Sequence, residues 1–325
     1  MLLLTEGDVM KVLDMPSCME VTEKAFAELS LGTAILPLRI NIVTPDGSAL
    51  YMPACLQGMC ALGCKVVTSY VNNPTQHHLP TIMGKVLLQD PRTGDVTCIM
   101  DGKYLTAVRT GAASGVATKY LARYDRSQKV GIFGAGVQGS TQLWAMSVAR
   151  NLSKAYVYDI NDEAIMNFTK AMSTTLKLEI VKADSPDLIL KEADIICTAT
   201  TSSTPIFDGN RVREGTHINS VGSHVPKTRE LDSTIIRRAK IIVDSYEACL
   251  NECGDIMTPI AEGVIDKSSL YAELGEIIIG KKRARAGDKE ITVFKSNGLA
   301  IQDVATAKLV YDKAVQAGIG TEVGF

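Results

Sequence analysis

Lys129-Val130-Gly131-Ile132-Phe133-Gly134-Ala135-Gly136-Val137-Gln138-Gly139, followed by Ala155-Tyr156-Val157-Tyr158-Asp159, is the stretch whose reading decides the fold. Residues 129–133 form a short apolar run of the kind that fits a strand covered on both faces. The glycine-rich segment then opens a helix, and residues 155–158 make a second strand closed by an acid. The three glycines act differently. Gly134 permits the tight turn, Gly136 lets the backbone approach a pyrophosphate, and Gly139 lets helix pack on strand. The N-terminus of that helix offers unpaired N–H groups to phosphate oxygens. Asp159 lies 20 residues beyond Gly139, where a carboxylate can accept both hydroxyls of an adenosine ribose. A 2′-phosphate there would meet a negative charge, so the pattern predicts NAD(H) in preference to NADP(H).

Downstream of this unit the alternation continues. Ile195–Thr198, His217–Val221, Ile241–Asp244 and Asp288–Ser296 read as further strands with helical patterns between them, as a Rossmann-type, doubly wound parallel sheet requires. Upstream the period is different. Residues 17–31 hold a helical pattern with Val21, Ala25 and Leu29 on one stripe and Ser17 as N-cap. Five runs then follow, Ile35–Val43, Ala49–Ala54, Gly63–Val71, Ile82–Gln89 and Val96–Met100, divided by turn residues such as Pro45-Asp46-Gly47 and Asn72-Asn73-Pro74. Such a succession predicts an antiparallel sheet. A helix over 104–122 leads into the nucleotide domain, and a helix from Gly298 to about Ala317 returns to the first. The expected division is residues 1–122 with 298–325 in one domain and 123–297 in the other.

Composition excludes several classes. A 325-residue chain that is 46% hydrophobic and 22% charged is an ordinary globule, and its net charge of −2 argues against nucleic-acid binding. No stretch of about 18 apolar residues is present to span a membrane, and the N-terminus turns acidic too early for a signal peptide, so a cytoplasmic protein is expected. The eight cysteines include no C-x-x-C pair and read as small buried hydrophobes in a reducing compartment. Neither they nor the four histidines show metal-ligand spacing, so no metal is expected. His77 and His78 read as solvated turn residues.

Several segments together resemble the ornithine cyclodeaminase/μ-crystallin family. They are Leu36-Pro37-Leu38-Arg39, Tyr51-Met52-Pro53-Ala54, Leu79-Pro80-Thr81, Val108-Arg109-Thr110-Gly111-Ala112-Ala113, the glycine-rich turn itself, Gly215-Thr216-His217-Ile218-Asn219-Ser220-Val221-Gly222 and Gly298-Leu299-Ala300-Ile301-Gln302-Asp303. The resemblance covers essentially the whole chain. It implies chemistry at the α-carbon of an amino acid, with hydride exchanged with a nicotinamide, and a homodimer joined through the first domains. A five-stranded sheet with open edges independently favours such pairing.

By the same resemblance Arg39 would bind the substrate carboxylate, Lys65 would contact the substrate and relay protons, and Thr81 and Arg109 would reach the cofactor or that carboxylate. The chemistry suits these residues. A guanidinium fork matches a carboxylate, and a lysine inside the apolar run Leu62-Gly63-Cys64-Lys65-Val66-Val67 has its charged form disfavoured, so it can exchange a proton near neutrality. Around the cofactor, Asp159 should hold the ribose, with Gly134, Gly136, Val137 and Gln138 along the phosphates. Thr200, Val221 and Ser223 leave the ends of parallel strands, and the last two should approach the nicotinamide.

The chain departs from the cyclodeaminases in two places. They carry an aspartate where this chain has His224, and a glutamate shortly before the Met-Pro pair, where this chain offers Leu50 and Tyr51. Nothing evident then remains to receive the distal ammonium of ornithine, whereas His224 can itself act as acid or base. The expected function is therefore an NAD(H)-dependent oxidoreductase acting on a small α-amino acid and its imine or 2-oxo acid. The alternatives are ornithine cyclodeaminase proper, a lyase, and a μ-crystallin-like binding protein.

Overall fold

The computed structural model describes residues 1–124, 127–223 and 225–324. The chain divides into two compact units, Met1–Arg109 with Leu299–Phe325, and Thr110–Gly298. The first boundary expected from sequence, after residue 122, lies at the far end of the helix Lys103–Leu121, within which the two units part.

The first unit is built on a sheet of β1 (Leu2–Leu4), β2 (Ala34–Ile35), β3 (Ile40–Val43), β4 (Ser48–Leu56), β5 (Ala61–Ser69), β6 (Ile82–Gln89) and β7 (Val96–Asp101), with a short C-terminal strand Thr321–Glu322. Strands β4 to β7 form an antiparallel meander, as the alternation predicts. Two features differ from that expectation. The first run is broken into β2 and β3, both pairing with β4, because Pro37 lacks the N–H a continuous strand would donate. In addition, β1 joins the other edge parallel to β7 and is itself covered by the C-terminal strand, pairings between chain ends that no local pattern announces.

The helices Met15–Leu31 and Ala300–Ala317 pack together over this sheet. Met15–Leu31 is capped by Asp14, whose carboxylate accepts from Ser17 N–H at 2.8 Å, with Pro16 in the first turn and Gly32 at φ 74° ending it. Ser17 is thus the capped residue and not the cap, and the buried stripe runs through Cys18, Thr22, Ala25 and Phe26, beside the expected one. The helix Ala300–Ala317 buries nearly all of its first two turns and packs against β4, β5 and Met15–Leu31. Gly63 serves the strand pairing more than the helix: a Cβ there would lie 2.5 Å from the Leu87 carbonyl oxygen of β6, while Val304 of the helix stands at 3.4 Å, near ordinary contact.

The second unit carries β8 (Gln128–Phe133), β9 (Leu152–Tyr158), β10 (Ile180–Lys182), β11 (Ile195–Thr198), β12 (His217–Ser220), β13 (Lys240–Val243), β14 (Leu270–Glu273) and β15 (Thr292–Lys295). They lie side by side in the order β10-β9-β8-β11-β12-β15-β13-β14, every pair parallel. The run expected over 288–296 narrows to β15, which inserts between β12 and β13. Val130, Ile132, Ile195, Ile196, Ile218, Ile242 and Val293 are all buried, since helices cover both faces. Among the described residues no helix is long and apolar enough to cross a membrane.

Candidate active site

In the first unit the alternation of β5 turns Ala61, Gly63 and Lys65 inward, against the helix Ala300–Ala317. A lone lysine on that face would be a costly buried charge. Asp303, one turn into the helix, removes the difficulty. Its Oδ2 lies 2.8 Å from Lys65 Nζ and its Oδ1 2.9 Å from Arg109 Nε, and the three side chains are 0%, 3% and 7% exposed. Gln302 Oε1 accepts from Arg109 Nη1 at 2.9 Å and from Leu299 N–H at 2.8 Å, so one side chain both orients the guanidinium and caps the helix start. Its Nε2 is buried with no hydrogen-bond partner among the described residues.

Burial pulls the Lys65 ammonium down from 10.5 to about 8; Asp303 opposes the fall, and Arg109 and Arg39 add to it. Arg39 is half-buried in the segment between β2 and β3. Thr81 is half-buried beyond the Ile82 end of β6, whereas Lys65 is paired with Val86 further along that strand, so the two are not brought together. His77 and His78 are exposed.

In the second unit the glycines act as their spacing predicts. Gly134 has φ 98°, a left-handed value, and its N–H donates to the Tyr158 carbonyl. A Cβ on Gly139 would lie 1.9 Å from the Gly134 carbonyl oxygen, so helix Val137–Ala149 could not approach the turn with any larger residue. Gly136 is the N-cap of that helix, has no side-chain cap, and borders open space where a Cβ would point. Val137 is exposed and Gln138 half-buried. Asp159 accepts from Ala135 N–H at 2.7 Å through one oxygen and from Asn161 N–H at 2.9 Å through the other. It braces the turn while keeping acceptor positions on both oxygens.

The loops after β11 and β12 are tied together by a residue that sequence reasoning passed over. Thr200 donates its N–H and hydroxyl to Glu230, which also receives Thr198 Oγ1 and Gly222 N–H. Burial pushes the Glu230 carboxyl up, against the pull of Lys295. Val221 is half-buried, while Ser223 is fully buried and donates its hydroxyl to the Thr228 carbonyl, closing its own loop. His224 lies outside the described residues. Asp303 and Gln302 stand in one of the segments that carry the family resemblance, but nothing local marks either as a partner of Lys65 or Arg109. Glu230 had no signal beyond being an acid near Gly222.

Residues 1–318 match the model of the ornithine cyclodeaminase/mu-crystallin family. The chain is 39% identical to a Δ1-pyrroline-2-carboxylate reductase of Bacillus cereus, over 100% of both chains. Among solved structures, that of Thermococcus litoralis Δ1-pyrroline-2-carboxylate reductase in complex with NADH and L-proline superimposes with a TM-score of 0.95 at 49% identity, covering 99% of this chain and 100% of that one. An archaeal alanine dehydrogenase dimer with bound NAD gives a TM-score of 0.93 at 36% identity, covering 100% and 99%. With the two-unit fold and the glycine-rich turn in place, the chain belongs to the ornithine cyclodeaminase/mu-crystallin family.

Proposed function

We propose that this protein is an NAD(H)-dependent oxidoreductase that reduces a small cyclic imine carboxylate of the 1-pyrroline-2-carboxylate kind to its α-amino acid, and runs the reverse oxidation. The observation that carries this reading is the buried cluster of Lys65, Asp303 and Arg109: a proton donor and a carboxylate fork held together by one acid. The relatives named above as reductases of this imine support the substrate class.

Arg109 is fixed by Asp303 and Gln302, which leaves further guanidinium N–H groups for a carboxylate, and Arg39 supplies a second fork. Lys65 gives its proton to the imine nitrogen as the adjacent carbon is reduced, and takes one from the amine in the reverse direction. NAD(H), when bound, supplies or accepts the hydride. The second unit fits that cofactor: the open space at Gly136 and the uncapped N–H groups of the following helix suit a pyrophosphate, and Asp159 suits the ribose. Ile160, 97% exposed next to Asp159, offers the adenine an apolar surface.

The test is an assay of NADH oxidation with 1-pyrroline-2-carboxylate, with pyruvate plus ammonia in parallel and ornithine assayed for ammonia release. The expected result is turnover with the cyclic imine and formation of proline; ammonia release from ornithine without net NADH change would assign the protein to the lyases. NADPH is expected to bind about tenfold to a hundredfold more weakly, because like-charge repulsion at Asp159 costs on the order of 1–3 kcal/mol.

The active species is proposed to be a cytoplasmic homodimer, in keeping with eight cysteines that are all free thiols. Ile35, Leu38, Ile40, Ile42 and Val43 are exposed along β2, β3 and the segment joining them, an apolar margin that a second copy would cover. Sedimentation at micromolar concentration is expected to give the dimer mass, and a monomer would count against this arrangement.

A further inference from the structure

At the carboxyl ends of β11, β12 and β15 the apolar interior gives way to a buried set of charges. Glu230, Asp255 and Lys295 are all 0% exposed, as are Thr198 and Ser220 beside them. Glu230 precedes the helix Ser233–Arg238 and reaches back under two loops. One oxygen accepts from Thr198 Oγ1 at 2.7 Å and Gly222 N–H at 2.8 Å; the other accepts from Thr200 N–H at 2.7 Å and Thr200 Oγ1 at 2.8 Å. Glu230 is itself held from below. Asp255 accepts from the N–H groups of Glu230 at 2.7 Å and Leu231 at 3.0 Å, and its other oxygen meets Ser220 Oγ at 3.0 Å and Lys295 Nζ at 3.0 Å.

Packed apolar side chains would hold these strands at less cost than two buried carboxylates and an ammonium. What apolar groups cannot do is fix the direction of loop N–H and C=O groups. The fit is tight: a Cβ on Gly222 would lie 2.4 Å from Glu230 Oε1 and 2.4 Å from the Thr200 carbonyl oxygen. Both loops leave the carboxyl edge of a parallel sheet, where such folds bind their ligands.

We infer that Glu230 is a positioning residue for the nicotinamide half of the cofactor, holding the Thr198–Thr200 and Val221–Ser223 segments as one floor. This rests on the NAD(H) reading above. Glu230→Gln tests it, because an amide nitrogen cannot accept from the Thr200 or the Gly222 N–H and one of the two loops must be released. ADP-ribose, which lacks the nicotinamide, serves as the control ligand.

The expected result is NADH affinity weakened by about tenfold or more, the size of a lost charged hydrogen bond, with ADP-ribose affinity held within about twofold. Gly222→Ala, which wedges the same two loops apart, should reproduce that selective loss. Thr200→Ala, which removes one hydroxyl donor, provides the milder reading should the others fail to fold, with about a threefold loss for NADH alone. Wild-type NADH affinity in the variants would overturn the inference, and so would parallel loss of both ligands. A wild-type protein that binds neither ligand would instead refute the NAD(H) reading itself.

Discussion

Lys65→Met is expected to abolish most turnover while leaving the fold and the cofactor site intact. Methionine matches the length and apolar volume of the lysine stem, so the inward face of β5 stays filled. The variant loses only the ammonium, and with it the group proposed to move a proton at the substrate nitrogen. Turnover should fall by about 10²–10⁴, the usual range for removing a general acid or base. NADH affinity should stay within a few-fold, since the glycine-rich turn and Asp159 belong to the other unit.

The pH dependence provides a second readout for the wild-type protein. With Lys65 lowered to about 8, imine reduction, which needs the ammonium, should decline as pH rises through that value. Amino-acid oxidation, which needs the neutral amine, should rise over the same interval. Stopped-flow rates of reduction in both proteins, measured against pH, check the two expectations together. Wild-type turnover by Lys65→Met with intact NADH binding would remove Lys65 from the chemistry and direct attention to His224.

Asp303→Asn is expected to damage stability as well as activity. It leaves two cations, Lys65 and Arg109, facing each other in a buried site with no anion between them. Removing one partner of a buried ion pair typically costs about 3–5 kcal/mol, and here one acid serves two partners. Lysine can relieve the repulsion by losing its proton, so the Lys65 pKa should fall further and the limb for reduction should move to lower pH. The sign of the stability change follows from the same shift. The folded-state pKa of Lys65 lies below the ordinary lysine value of 10.5, so between the two values the unfolded chain holds the extra proton and stability rises with pH. In the variant that interval extends to lower pH. Thermal unfolding across a pH series, compared with the pH–rate profile, tests both statements; an unshifted profile with wild-type stability would show that Asp303 does not govern Lys65.

Much of this protein was legible along the chain because its determinants are local. A strand covered on both faces reads as an apolar run, and β8 and β11 show one. A turn that needs a left-handed residue and a close helix needs glycine, and Gly134 and Gly139 stand there. Lys65 was recognisable as a buried cation because its strand neighbours are apolar.

The partners of these residues were decided by the tertiary structure. Ion pairing acts across space at a few ångströms, and nothing in the spacing of residues says which distant acid will arrive. Asp303 meets Lys65 only because the returning helix packs against β5, and Glu230 joins two loops only because β11 and β12 lie side by side. The placement of β15 between β12 and β13, and of β1 beside β7, has the same origin. Strand order is settled by burial and backbone pairing of the assembled chain, whereas the residue pattern specifies only which side of each strand must be covered.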